Sequence, residues 1–490
     1  MRKLLTIILI LFVFTLFAGE ARVDKDGFTM NGAAGSITVN GNSYTQMRLM
    51  PELVFGKFGI GLDIDILIDK DGNVRREDWD EAEDYLNKIL YIRYGRRGDK
   101  VYGKIGSFSS YTLGHGLIMR NYTNMLKYPE YRQIGLMLGG QLPYYNTNVE
   151  GFSSNIKENN ILAGRVTSQP LSVINFPIIS KIKLGASFAT DRNQYEGLDD
   201  VDNDNYADVF DDFPNNDDYH DEIEKQRDYY EEIYEEIAGT TEGFEEWFDS
   251  TSVLPRNPSL DELPEEDVQI LGLDYQLPLI ERELFELGNY GEYAKIIDHG
   301  DGFIFPGFYS KFLIFYTKLE FRYYGNEFEP EFFNELYDEN RINTYSVDSD
   351  SVYLETKSAT LADNKISRGW FGSITADLKI ADLTIEYEDM YGDDIANGKS
   401  IWGVLSLKRN LIPKINTARV SYEQRRVENV LTDWRTPSTL IRGKAGYAVG
   451  ENTALVADYS ERYKDLNNDG EIKGDDEVIK NFGIGVEFTF

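Results

Sequence analysis

The last ten residues read Asn481-Phe482-Gly483-Ile484-Gly485-Val486-Glu487-Phe488-Thr489-Phe490. Phe482, Ile484, Val486, Phe488 and Phe490 take alternate positions, with Asn, Gly, Glu or Thr between them. Successive side chains of a strand point to opposite faces, so this stretch predicts a strand with one wholly apolar face and one polar or very small face. The rhythm returns at Leu313, Phe315, Thr317, Leu319, Phe321 and Tyr323, set against Lys318, Glu320 and Arg322. It returns again at Ile182, Leu184, Ala186 and Phe188, at Trp370, Gly372, Ile374, Ala376 and Leu378, and at Leu383, Ile385 and Tyr387. These units run about 10 to 13 residues, longer than an ordinary globular strand and suited to the roughly 9 to 11 residues of a tilted strand crossing a bilayer.

That length favours a transmembrane barrel over a soluble secreted β-protein, which would carry the same alternation in shorter strands. Without spanning helices, only a closed barrel pairs every backbone polar group within lipid. The expected fold is therefore all-β, a transmembrane antiparallel up-and-down β-barrel. About 16 strands are expected, within a range of roughly 14 to 20, because such barrels usually carry an even number.

Connection lengths alternate when read back from Phe490. Val449 to Asn452, Leu411 to Lys414 and Ile380-Ala381 are short, whereas Asp465 to Glu477, Val427 to Pro437 and Asn326 to Lys365 are long. Barrels of this kind have short periplasmic turns and long external loops, so a periplasmic C-terminus puts every long segment outside.

The amino terminus reads as a secretory signal. Arg2-Lys3 precedes an apolar run from Leu4 to Ala18, too short to span a bilayer comfortably. Gly19-Glu20-Ala21 is a small-x-small cleavage site that places the mature start near Arg22, with Ala18 an alternative. Across 490 residues, 84 Asp+Glu against 50 Lys+Arg give a net charge of −34. That charge excludes nucleic acid as an ordinary partner. The absence of cysteine excludes disulfides, thiol catalysis and zinc–thiolate sites.

An exported chain whose final strand ends in Phe488 and Phe490 resembles bacterial outer-membrane β-barrel proteins of the porin-like class. The resemblance implies residence in the bacterial cell outer membrane and contact with the lipid bilayer. It also implies that the barrel-assembly machinery recognises the final strand (Phe482, Ile484, Val486, Phe488 and Phe490). Porins of this class commonly form trimers, so a homo-oligomer is one implied assembly, although no residue here marks a subunit interface.

The acidity is concentrated. Residues 196–266 hold 26 acidic and three basic residues, a net of −23. The chain accordingly divides into a signal peptide (1–21), N-terminal barrel strands (22–195), an acidic external insertion (196–266) and C-terminal barrel strands (267–490). Within the insertion, Asp221 to Ala238 reads as a helix with Ile223, Tyr230, Ile233, Tyr234 and Ile237 on one face and Gly239 as its stop. That face is expected to dock on the barrel mouth or on neighbouring loops.

Two segments carry calcium-loop spacing. Asp465, Asn467 and Asp469 stand at loop positions 1, 3 and 5, with Gly470 at 6, Glu471 at 7 and Asp476 at 12, a pattern Ca²⁺ needs for its six to eight oxygens. This loop resembles those of EF-hand and dockerin modules, with Asp476 in place of Glu and Lys473 unable to act at position 9. Asp200, Asp202, Asp204, Tyr206, Asp208 and Asp211 resemble thrombospondin type-three calcium repeats, with Asn205 replacing Gly and the family's Cys missing. Structural calcium is thus the expected cofactor. Unfilled, these like charges would repel one another, and divalent cations would order the external loops. A third segment, Asp69-Lys70-Asp71-Gly72-Asn73, has Leu67 where the first ligand belongs.

Catalytic patterns are weak. His115, His220 and His299 are the only histidines, and none sits in a nucleophile motif. The expectation is that the protein is not an enzyme. Ser107 to Tyr131 alternates little and reads as a segment folded into the lumen. The basic residues nearby, Arg93, Arg96, Arg97 and Arg120, are candidates to line the pore. The leading expectation is a porin or channel passing small polar solutes or ions by diffusion, with weak cation preference from the acidic mouth. The alternative is a structural or adhesive barrel presenting its external loops to a surface partner.

Overall fold

The computed structural model describes residues 27–489 except 40–41, 77–78, 80–84, 86, 127–131, 199, 201–203, 215, 217–218, 222–223, 245–246, 249–257, 349–350, 393–397, 409–410, 431, 433, 451–452, 466–471 and 474–476. The expected signal segment 1–21 and the terminal Phe490 lie outside the described residues.

The sequence rhythm becomes an antiparallel up-and-down sheet. β1 (Gly27–Val39) pairs with β2 (Asn42–Phe55), and β3 (Phe58–Leu62) and β4 (Ile64–Ile68) lie end to end along β2, parted at Asp63. β5 (Ile89–Tyr94) and β6 (Val101–Gly106) follow. β7 (Tyr111–Leu113) and β8 (Met119–Tyr122) form a small sheet of their own. The main sheet resumes with β9 (Gly135–Leu142), β10 (Thr147–Ser153), β11 (Ile161–Ser168), β12 (Lys183–Asp191) and β13 (Val268–Arg282). It continues through β14 (Phe285–Ile296), β15 (Asp301–Phe312) and β16 (Phe315–Tyr324). β17 (Ile342–Asp348) and β18 (Ser351–Thr356) make a second separate pair.

β19 (Ser367–Asp377), β20 (Ala381–Tyr391), β21 (Lys399–Leu407), β22 (Ile415–Val427), β23 (Leu440–Ala448), β24 (Thr453–Tyr463) and β25 (Val478–Thr489) then pair in sequence order. Among the described residues, 21 strands belong to the main sheet. Its first and last strands also meet, with Asn31 opposite Thr489 and Gly32 opposite Phe488. The expected figure of about 16 undercounts these segments. Several strands before residue 180, such as β5 and β6, span only six residues and show no long alternation.

Most connections alternate as expected, but 169–182 between β11 and β12 is long on the side of the tight turns, and 297–300 between β14 and β15 is short on the side of the long loops. Residues 283–284, 313–314, 378–380 and 449–452 are tight, while 192–267, 325–366, 428–439 and 464–477 are long. Two boundaries are corrected. Leu313 does not lie in a strand but turns the β15–β16 hairpin at φ 54°, because the chain must reverse within two residues. The turn expected at Leu411–Lys414 begins earlier, since β21 ends at Leu407.

The pleat sorts side chains in a manner opposite to a water-soluble core. On β16, Leu319 is 56% and Phe321 43% exposed, whereas Glu320 and Arg322 between them are 1% and 3% exposed. The same sorting holds on β25, where Phe482 and Ile484 are exposed and Gly483 and Gly485 are buried.

A second compact unit comprises residues 191–268 with 338–360. The expected helix is present but shorter: α1 (Arg227–Ala238) follows a 3₁₀ turn at Glu224–Gln226 and ends where Gly239 turns left-handed at φ 75°. Its ring-bearing face packs within its own unit. Tyr234 lies 5.8 Å from Phe244 and 5.3 Å from Trp247, and Tyr230 lies 6.0 Å from Phe248. Ile237, expected on that face, is exposed, because one turn past Tyr234 the helix has outrun the Phe244–Phe248 segment.

Residues 338–360 join this unit through polar bonds that no local pattern announces. Asp191 accepts two hydrogen bonds from Arg341 (2.7 and 2.8 Å), Gln194 and Ser358 exchange two (2.7 and 3.0 Å), and Thr356 donates to Glu266 (2.8 Å). Breaking a buried pair strands the surviving charge, so Arg341→Ala should destabilise this unit by about 3–5 kcal/mol. Limited proteolysis checks it: cleavage within 191–268 accelerates while the main sheet stays intact.

Candidate functional site

The buried face of the main sheet is lined by charge. Asp274 on β13, Glu292 on β14, Glu320 and Arg322 on β16 and Glu423 on β22 are all buried there. Period two places Glu320 and Arg322 on one face, where Arg322 Nε donates to Glu320 (2.7 Å) and its other arm reaches Glu388 on β20. The Arg322 guanidinium also lies 3.9 Å over the Phe371 ring, which covers its apolar plane. Arg165 on β11 donates to both oxygens of Asp274 (2.6 and 2.9 Å).

Two segments fold against this face. The first, 107–126, carries β7 and β8 and buries Tyr111, Leu113, Leu117, Ile118, Met119 and Tyr122. Tyr111 stacks 4.1 Å from Phe152 of β10, and its hydroxyl donates to Glu150 (2.8 Å). Asn124 accepts from the Phe108 amide (2.7 Å) and donates to the Ser154 carbonyl (2.9 Å). Glu292 receives the backbone amides of His115 (3.2 Å) and Leu117 (2.9 Å). Gly114 permits this approach, because at φ 64° a Cβ there would sit 2.1 Å from Glu292 Oε1.

The second segment is 326–337, where Phe328, Phe332, Phe333, Leu336 and Tyr337 are buried. Its backbone lies along the first. The Glu331 amide donates to the Leu117 carbonyl (2.8 Å), the Phe333 amide to that of Ile118 (3.2 Å), and the Arg120 amide to that of Phe333 (2.9 Å). An apolar centre of Leu117, Ile118, Met119, Phe332 and Phe333 is thus held between charged strands.

Glu331 is where the two segments and the sheet meet. Its carboxylate accepts from Arg120 (2.9 Å) and from Arg425 of β22, and lies 3.7 Å from Arg322. Arg120 also reaches Glu386 of β20. Glu335 pairs with Arg442 and Glu329 with Arg426 (3.5 Å), so Glu329, Glu331 and Glu335 are each tied to β22 or β23. Burial works to raise the Glu331 carboxyl, but Arg425, Arg120 and Arg322 overcome it and hold the group well below the ordinary glutamate range.

The four arginines picked from sequence do not gather. Arg120 enters the cluster just described. Arg97 pairs with Glu150 (2.8 Å) and lies 4.8 Å over Tyr111. Arg93 lies against Gly59, and Arg96 sits in the turn closed by Asp99 (3.3 Å). Sequence proximity misled because the chain between Arg97 and Arg120 runs along β6 and then leaves the sheet. The residues missed, Glu331, Arg322 and Arg425, had a partial signal in the Glu320/Arg322 alternation, but their partners lie up to 211 positions away.

The histidines are plain polar residues. His115 stacks 4.3 Å from Tyr290 with Nε2 3.7 Å from Asp274, His220 stacks 3.5 Å from Tyr206, and His299 lies 3.5 Å from Glu327. Of the calcium-type residues, Asp202, Asn467, Asp469, Glu471 and Asp476 lie outside the described residues. In the loop around Asn205 (φ 75°), Asp200, Asp204 and Asp211 each accept a backbone amide, at 3.1, 2.8 and 2.6 Å. Tyr206 stacks on His220, while Asp208 and Asp465 are described at their chain positions, the latter just after β24. Asp69 accepts the amides of Asp71 and Asn73 (both 2.8 Å), which makes the third segment a self-closed turn. Among the described residues, no group of three or more His, Asp or Glu side chains is arranged to hold a metal ion.

Two outcomes follow. Glu331→Gln should loosen segment 326–337 by about 3–5 kcal/mol, because it unpairs buried arginines. Hydrogen exchange at the Phe333 amide reads the loss. Because the folded carboxyl lies below its free value of roughly 4.3, Glu331 anchoring should be full above that value and weaken progressively as pH falls below it. His115 acts in the same direction at higher pH. Burial lowers it to about 4, so a released segment binds more protons than a docked one between about 4 and 6.5, and docking weakens as pH falls through that window. Exchange at the Leu117 amide should rise there, and His115→Phe should remove the dependence.

No protein-family model matches the chain, and no curated protein matches it. Among solved structures it is similar to Wzi, described as an outer-membrane protein involved in group 1 capsule assembly in Escherichia coli and a carbohydrate-binding β-barrel. The identity is 11% and the TM-score 0.33, covering 95% of this chain and 84% of that one. It is also similar to OprD of Pseudomonas aeruginosa (7%, TM-score 0.31, 95% of each chain) and to OccAB2 of Acinetobacter baumannii (10%, TM-score 0.29, 94% and 96%). Scores this low leave the function to be argued from this chain's own residues.

Proposed function

We propose that the main sheet closes through β1 and β25 into a β-barrel of the bacterial outer membrane, acting as a channel for small polar solutes or ions. One observation carries this reading: exposed Leu319 and Phe321 alternate with buried Glu320 and Arg322. In water, that sorting would expose apolar surface and desolvate charge together, both unfavourable. With hydrocarbon outside and polar groups inside, the same sorting is favourable, as in outer-membrane barrels. Since β3 and β4 share one place beside β2, the 21 strands of the sheet occupy 20 places, an even number.

A barrel this wide encloses water unless something fills it. The segments 107–126 and 326–337 narrow it, and passage proceeds around them without covalent chemistry. Loop 200–211 would hold a calcium ion through Asp200, Asp202, Asp204, Asp208 and Asp211, which would neutralise part of the acidic insertion; Asp465 to Asp476 would hold another. Isothermal titration without heat at millimolar Ca²⁺ would remove the calcium element.

The second reading is a structural or adhesive barrel that presents 196–266 and the part of 326–365 beyond the inward segment, 338–365, to a surface partner. The apolar centre between the two segments favours it, because a filled barrel makes a platform. Planar-bilayer recording decides between them. Discrete current steps from purified protein are expected. Silence at every voltage, with calcium-dependent binding to whole cells, would favour the platform.

A further inference from the structure

The polar face of β23–β25 differs from the crowded sector opposite the two segments. Register places Lys444, Asp458 and Gly483 side by side, with Gly446, Val456 and Gly485 in the next row. A Cβ built on Gly483 would meet no atom within 4 Å, so the wall there is open where a side chain would otherwise stand. Asp458 is 4% exposed, and neither carboxylate oxygen has a hydrogen-bond partner among the described residues.

The lysine across from it makes no hydrogen bond to it. Lys444 stands directly across from Asp458 but extends to Glu487 on the far side of β24, at 2.6 Å. Lys444 and Glu487 are the two charged groups acting on Asp458, and together the three carry one net negative charge. A buried carboxylate without donors is costly unless a cation or water attends it. Glu487 remains about one-fifth exposed, so the recess connects to solvent.

From this arrangement we infer that Asp458, with Glu487 beside it over the glycine-lined wall, is a transient site for a small monovalent cation on the conduction path. The inference rests on the channel reading and deepens it, moving cation preference from the acidic external loops to a residue inside the barrel. A lone carboxylate suits this role, since an ion must bind well enough to enter and weakly enough to leave.

Reversal potentials in planar bilayers under a potassium chloride gradient test it. The wild type is expected to pass potassium over chloride, and Asp458→Asn to lower that permeability ratio by about twofold or more. Glu487→Gln should act in the same direction, because it frees Lys444 to pair with Asp458; it also covers the case in which Asp458→Asn fails to fold. A wild type that conducts with a ratio neither variant moves overturns the site and leaves the channel standing. Asn mimics a protonated carboxyl, so an uncharged Asp458 would give that same overturning result. A wild type that does not conduct overturns both.

Discussion

Most charges on the buried face of this sheet are held by partners on their own or another strand or on an inward segment. Strand geometry creates the requirement for partners, because a strand that turns Leu319 and Phe321 one way necessarily turns Glu320 and Arg322 the other. Arg322 is satisfied by Glu320 on its own strand, Glu388 on β20 and the face of Phe371. None of these would suffice alone, since desolvating a guanidinium costs more than one pair returns.

The two inward segments follow from that requirement. Glu329, Glu331 and Glu335 each meet an arginine of β22, β23 or segment 107–126. Between these anchors Phe332 and Phe333 face Leu117 and Met119, forming an apolar core distinct from the exposed apolar face of the sheet. Acidic residues that look in sequence like surface loop are instead the ties of an interior structure. The sector without such ties, around Gly483 and Asp458, is where space and an unbalanced charge remain.

Legibility divides along physical lines. The long strands from β13 onward were readable because alternation over about ten residues is a local property. Those before residue 180 were less so, since six-residue strands such as β5 leave too short a pattern. The helix was found but its start was misplaced, and Ile237 was put on a packed face that ends one turn earlier. Within the stretch Ser107 to Tyr131, the described part, 107–126, leaves the main sheet as its weak alternation suggests. Its partner, 326–337, was read as external loop, because nothing in Glu329-Pro330-Glu331 signals that three arginines await it.

By itself, then, the sequence determined strand periodicity, the alternation of short and long connections, the acidic insertion and the apolar final strand, all of which depend on neighbours within a few residues. Only the tertiary structure decided which charges pair, where the two segments lie and which carboxylate stays unpaired. Those contacts join residues as distant as Arg120 and Glu386, and a pairing across such separations depends on the register of every strand between them.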